Sequence, residues 1–272
     1  MLLWLALPLL VYAAVAGAFW LFQGALLFPR SSVAPEDLPA RGERLTIAAA
    51  NGDELVGVHV PAAVPGPRQL LLIGFGGNAW NADAMAAYLA GLFPEAQILT
   101  FHYRGYGESS GRPSAAALTA DAQAIFDEAV RRWPKADKVA VGFSIGSGVA
   151  AQLAAERPVS GLVLVTPFDS LRKVAAGHFP WLPVGALFQH ELDSSAALKG
   201  TDAPVALIAA ANDTIIPRVR TEALRAGLRE VAFERTIAGA GHNDIYADPR
   251  FHKAMREGVA ALLTPTPTAA GR

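Results

Sequence analysis

The sequence contains no cysteine. That excludes disulfides, thiol catalysis and cysteine-bound metal sites, and leaves either redox compartment open. Excess charge is missing too: 23 Lys plus Arg stand against 24 Asp plus Glu, so no long-range field points to nucleic acid or to a strongly acidic partner. From Leu2 to Phe28 there is no Asp, Glu, Lys, Arg or His at all. About 20 apolar residues suffice to cross a hydrocarbon core, so residues 1–28 read as a transmembrane anchor. Trp4, Tyr12, Trp20 and Phe28 are spread along this run, and Arg30 marks its end. A cleaved signal peptide is the competing reading, because Ala16-Gly17-Ala18 resembles a cleavage site. Against it, no Lys or Arg precedes the segment, and the apolar run continues through Phe19-Trp20-Leu21-Phe22 to Phe28. Arg30, Arg41 and Arg44 follow among Glu36, Asp37 and Glu43, so charge does not orient the helix in a membrane.

Ligand clusters are also lacking. There is no H-E-x-x-H, and the six histidines are scattered, so no metal site is expected. The first Gly-rich loop, Gly74 to Asn78, is not G-x-G-x-x-G, and no acid follows at the expected distance in a matching strand. No cofactor is implied.

What is present is alternation. Pro29 to Arg44 is rich in Pro and charge and reads as a linker (29–44) into a catalytic domain (45–263). Leu45-Thr46-Ile47 and Leu55 to Val60, with Asn51-Gly52 between them, signal a hairpin. Short apolar runs follow at Leu70 to Phe75, Gln97 to Phe101, Lys138 to Phe143, Gly161 to Thr166, Val205 to Ala210 and Val231 to Ile237. Between them lie helix-length segments: Ala82 to Leu92, Ala115 to Arg132, Ile145 to Glu156, Arg218 to Leu228 and Pro249 to Leu263. Such alternation implies an α/β fold with a mostly parallel central sheet flanked by helices. His178 to Leu192 breaks the rhythm and is a candidate small lid. Thr264 to Arg272 is a biased tail, expected to be disordered (264–272).

Gly142-Phe143-Ser144-Ile145-Gly146 fits G-x-S-x-G, and it sits directly between a strand and a helix, the context that identifies a nucleophile elbow. A serine hydroxyl needs a base within hydrogen-bond reach and an acid to orient that base. Asp213, just past the strand ending at Ala210, and His242, just past the strand ending at Ile237, supply these in the order Ser, acid, His, at the carboxyl edge of the sheet. Asp213 also has the position of a helix cap ahead of Pro217, and Asp244 is a rival acid better suited to supporting the His242 loop. None of His59, His102, His178, His190 or His252 follows the last strand. Acyl transfer also needs oxyanion donors: the Ile145 N–H, and one from the loop Gly74 to Ala79.

These motifs resemble the α/β-hydrolase superfamily, in particular its membrane-anchored group of protein depalmitoylases and lysophospholipases, over residues 45 to 263. Gly76-Gly77-Asn78-Ala79 is similar to that group's His-Gly-Asn-Ala loop, which implies Asn78 as the second oxyanion donor, with Gly76 replacing the usual His. His102 to Gly111 (HYRGYGESSG) resembles the loop after the fourth strand, and Pro167-Phe168-Asp169-Ser170 and Pro180-Trp181-Leu182-Pro183 resemble segments beyond the elbow, where Ser or Thr commonly replaces Asp169. The expectation is a tethered serine hydrolase of esters or thioesters with Ser144, Asp213 and His242 as its triad, Asn78 and Ile145 as its oxyanion hole, and Phe75 and Trp181 contacting a lipid-like acyl substrate. A serine peptidase on the same fold and a non-catalytic scaffold are the alternatives.

Overall fold

In the computed structural model, residues 2–34 and 36–264 are described; the expected tail beyond Thr264 lies outside them. Eight strands form one sheet: β1 (Glu43–Ala48), β2 (Glu54–Val60), β3 (Leu70–Phe75), β4 (Gln97–Phe101), β5 (Asp137–Phe143), β6 (Gly161–Val165), β7 (Val205–Ala210) and β8 (Val231–Ile237). Their order is β1-β2-β4-β3-β5-β6-β7-β8. Only β2 runs against its neighbours; every pairing from β4 through β8 is parallel. The β1–β2 hairpin turns at Asn51-Gly52, where Gly52 has φ 86°, a conformation that costs glycine little.

The central strands Leu70–Phe75 and Gly161–Val165 are buried along their whole length, which is why they read as continuous apolar runs. Helices cover both faces. On one side α3 (Ala115–Arg132) and α4 (Ile145–Glu156) set Leu118, Phe126, Val149 and Leu153 against the sheet. On the other, α2 (Ala82–Leu92) and α9 (Pro249–Leu262) contribute Met85, Leu89, Phe251 and Met255. Their starts are fixed by side-chain caps: Asn81 accepts from Asp83 and Ala84, Ser114 from Ala117, and Asp248 from Arg250 with Pro249 at the first turn.

Four shorter helices complete the fold: α5 (Leu171–His178), α6 (Val184–Leu187) and α7 (Ser194–Leu198) between β6 and β7, and α8 (Arg218–Gly227) after β7. The expected lid therefore holds α6, preceded by α5. Ahead of the sheet stands α1 (Leu2–Leu27), long and apolar enough to cross a membrane and mostly on the outside of the fold.

Candidate active site

Ser144 sits between the last residue of β5 and the first of α4, with φ 52° and ψ −119°. A non-glycine residue in that region is strained by about 1–3 kcal/mol. The flanking glycines make the turn possible. A Cβ on Gly146 would overlap the Phe75 carbonyl, and one on Gly142 would overlap the Gly146 carbonyl. The Ser144 N–H is held by the Val165 carbonyl at 2.9 Å, and the hydroxyl is turned away from the sheet toward His242.

His242 lies in the loop after β8. Its Nε2 is 2.9 Å from Ser144 Oγ and its Nδ1 is 2.7 Å from Asp213 Oδ2. Both side chains of the latter pair are buried, so the contact is little screened by water. The other carboxylate oxygen of Asp213 accepts the N–H groups of Ile215 and Ile216 at 2.9 and 2.7 Å. The capping behaviour seen in the sequence and the contact with His242 thus coexist on one side chain. Asp244 accepts the Gly241 N–H at 2.6 Å and braces the loop that presents His242.

The loop after β3 lies beside the serine: a Cβ on Gly77 would be 3.8 Å from Ser144 Cβ. Two phenols fix this loop. Tyr103 donates to the Gly76 carbonyl and Tyr106 to the Asn78 carbonyl, each at 2.8 Å. Burial pushes both phenols well above the usual tyrosine range, so they remain neutral donors. The space a histidine at position 76 would need is bordered by Trp80, whose Cβ stands 3.3 Å from a Cβ built on Gly76. Ile145, as the first residue of α4, has an N–H without an acceptor in its own helix.

These groups open into a cavity of about 580 Å³ that includes Ser144, Ile145, Asn78, His242 and Asn243. Its remaining walls are apolar: Trp80, Phe168, Leu171, Val174, Phe179 and Tyr246 among them. The Tyr246 hydroxyl is pushed up to about 12, chiefly by burial. His178 also borders the cavity and bonds through Nε2 to the Ile215 carbonyl at 2.8 Å, tying α5 to the Asp213 loop. Among the described residues no group of three or more His, Cys, Asp or Glu is placed to hold a metal ion.

Ser144, Asp213, His242, Asn78 and Ile145 are thus brought together. Phe75 and Trp181 are not among the cavity's lining residues. Phe75 is buried in the core beneath the loop, and Trp181 is 54% exposed. Sequence reasoning missed the residues that do form the walls, because α5, the Ile215 turn and Tyr246 meet only in three dimensions. Asp169, where Ser or Thr was the expected residue, is buried and paired with Lys173 and Arg220.

A profile of the alpha/beta hydrolase fold family matches residues 70–193. The chain is 34% identical over 270 residues to an uncharacterized protein of Mycobacterium tuberculosis, covering 96% of this chain and 94% of that one. It is 28% identical over 138 residues to a lysophosphatidylserine lipase of Danio rerio, covering 44% of this chain and 36% of that one. Among solved structures, an alpha-beta hydrolase from Vibrio vulnificus superposes with a TM-score of 0.63 at 21% identity, covering 82% of each chain.

Proposed function

The chain belongs to the α/β-hydrolase family, and from that premise we propose that it is a membrane-anchored serine hydrolase cleaving a carboxylic ester or thioester of a lipid-like acyl group. The observation that carries the proposal is the unbroken hydrogen-bonded line from Asp213 through His242 to Ser144 at 2.7 and 2.9 Å, at the floor of an apolar cavity. In this mechanism His242 Nε2 takes the Ser144 proton as Oγ attacks the substrate carbonyl, and Asp213 holds the imidazole in the tautomer that leaves Nε2 free to accept. The N–H groups of Asn78 and Ile145 stabilise the oxyanion as it forms. His242 then gives its proton to the leaving group. Water, deprotonated by the same His242, releases the acid from the Ser144 ester.

The lipid-like substrate is supported by the apolar walls and by the name of the Danio rerio relative, a lysophosphatidylserine lipase. A cavity of this size is in the range that accepts a drug-sized ligand or a single acyl chain, at about 300–1,000 Å³. The anchor is supported by the charge-free run of α1. Labelling of the full-length protein with a fluorophosphonate, followed by peptide mapping, tests the chemistry. Modification at Ser144 together with hydrolysis of acyl esters is expected; labelling elsewhere, or none, contradicts the proposal. Recovery of the uncleaved full-length chain in the soluble fraction without detergent contradicts the anchor.

A further inference from the structure

A helix that only attaches a domain to a bilayer needs no polar group facing the domain, and α1 has one. Gln23 is the sole side-chain amide between Leu2 and Phe28, and it is 2% exposed. Its Nε2 donates to the Leu187 carbonyl of α6 at 2.9 Å, and its Oε1 accepts the Gln189 N–H at 2.8 Å. Gln189 in turn donates from its side chain to the Trp20 carbonyl at 2.9 Å. An amide inside an apolar helix is costly unless its hydrogen bonds are met, and here the lid backbone meets them.

The same stretch is fitted to the lid along its length. The Tyr12 hydroxyl donates to the Trp181 carbonyl at 3.0 Å, and the rings of Phe19 and Phe179 meet edge to face at 5.6 Å. At Gly24 a Cβ would lie 3.1 Å from His190 Nε2, so the helix meets the lid closely here. One turn beyond Gln23, Leu27 lines the cavity that contains Ser144 and His242.

We propose that α1 is a wall of the acyl-binding cavity as well as an attachment, with Leu27 setting the length of acyl chain accepted and Gln23 acting as the positioning residue that holds Leu27 in place. This rests on the acyl-hydrolase reading above. The substrate class it names is a single acyl chain whose distal part lies against Leu27 and the cavity wall formed by Val174, Ala175 and Phe179. The cavity is then complete only while α1 is docked, and removing the helix before Pro29 takes away part of the binding site along with the anchor.

The test uses full-length protein in phosphatidylcholine nanodiscs with p-nitrophenyl esters from acetyl to palmitoyl. Comparing each variant with wild type in the same discs cancels the partitioning of substrate into lipid. Each methylene in an apolar wall is worth about fourfold in kcat/KM, so Leu27→Trp, which fills the space of roughly two, is expected to lower the long-chain to short-chain ratio about fifteenfold. Leu27→Ala is expected to move the optimum to longer chains; opposite shifts cannot come from general destabilisation. Gln23→Leu is expected to raise KM for the long-chain esters several-fold while kcat for them stays within about twofold. Leu9→Trp, on the exposed part of α1, serves as the control and leaves the ratio at the wild-type value. Active variants with an unchanged chain-length profile at Leu27 overturn the inference alone. Wild-type protein that neither hydrolyses esters nor labels at Ser144 overturns the functional reading, and this inference with it.

Discussion

Asp213→Asn separates orientation of the base from mere presence of a polar group. Asp213 Oδ1 accepts two backbone N–H groups, from Ile215 and Ile216, and Oδ2 faces His242 Nδ1 at 2.7 Å. An asparagine has the same shape, but its single oxygen is claimed by the two N–H donors. Flipping the amide would forfeit both of those bonds, each worth about 1 kcal/mol net, so the amide nitrogen is left pointing at His242. Facing a donor, Nδ1 must accept, and the imidazole proton moves to Nε2. His242 then donates to Ser144 Oγ at the 2.9 Å contact where it has to accept. The loss expected in kcat is on the order of ten-thousandfold, equivalent to about 5.5 kcal/mol of barrier. Folding should be nearly untouched, because every bond that holds the turn survives. The assay is kcat for a short p-nitrophenyl ester alongside a thermal melt of the same preparation. A variant within tenfold of wild type, with its melting temperature unchanged, would refute the tautomer argument; a collapse of the melting temperature would show that Asp213 is chiefly structural.

Three other outcomes follow from particular contacts. Arg104 is buried against Asp121, with a second bond to Asp53 at 3.2 Å; Arg104→Ala strands a buried carboxylate and should cost about 3–5 kcal/mol by thermal or chemical unfolding, partly recovered in the double variant with Asp121→Asn. Gly146→Ala drives a Cβ into the Phe75 carbonyl and should prevent accumulation of folded protein, whereas Gly77→Ala, with 3.8 Å to its nearest neighbour, should melt within a few degrees of wild type. Burial lowers the pKa of His59, His102 and His190 from 6.5. The unfolded chain therefore binds more protons than the folded one as pH falls through 6.5, and stability is lost in that direction. Melts between pH 7.5 and 5 should show a falling transition temperature with a shallower slope in His102→Asn; a flat or rising profile contradicts this assignment.

The local rules reach most of the fold. The strands Leu70–Phe75, Gln97–Phe101, Val205–Ala210 and Val231–Ile237 and the helices Ala82–Leu92 and Ile145–Glu156 have the limits read from the sequence, because buried parallel strands are continuous apolar runs and their helices begin at cap residues or the elbow. Ser144, Asp213 and His242 were legible for a related reason: each stands just past the carboxyl end of a strand, so chain order and strand position place them at one edge. The cavity walls were not. Trp181 was expected to contact the acyl group, but it is 54% exposed and Phe179 lines the cavity instead. Leu27 and Gln23 belong to a segment whose sequence signals only a membrane span or a leader peptide. Nothing local in a 26-residue apolar helix shows that its last two turns dock on residues more than 160 positions away. Phe28, the last residue of that apolar run, is 2% exposed and packs into the core.

The central claim is that acyl groups pass through a covalent ester on Ser144. It is tested most directly by rapid acid quench of the full-length protein during turnover of a slowly deacylating p-nitrophenyl ester, with intact-mass and peptide mass spectrometry of the quenched sample. The account predicts a mass increase equal to the acyl group, mapped to the peptide containing Ser144, and loss of both adduct and turnover in Ser144→Ala. Steady hydrolysis with no adduct, persisting in Ser144→Ala, would contradict it.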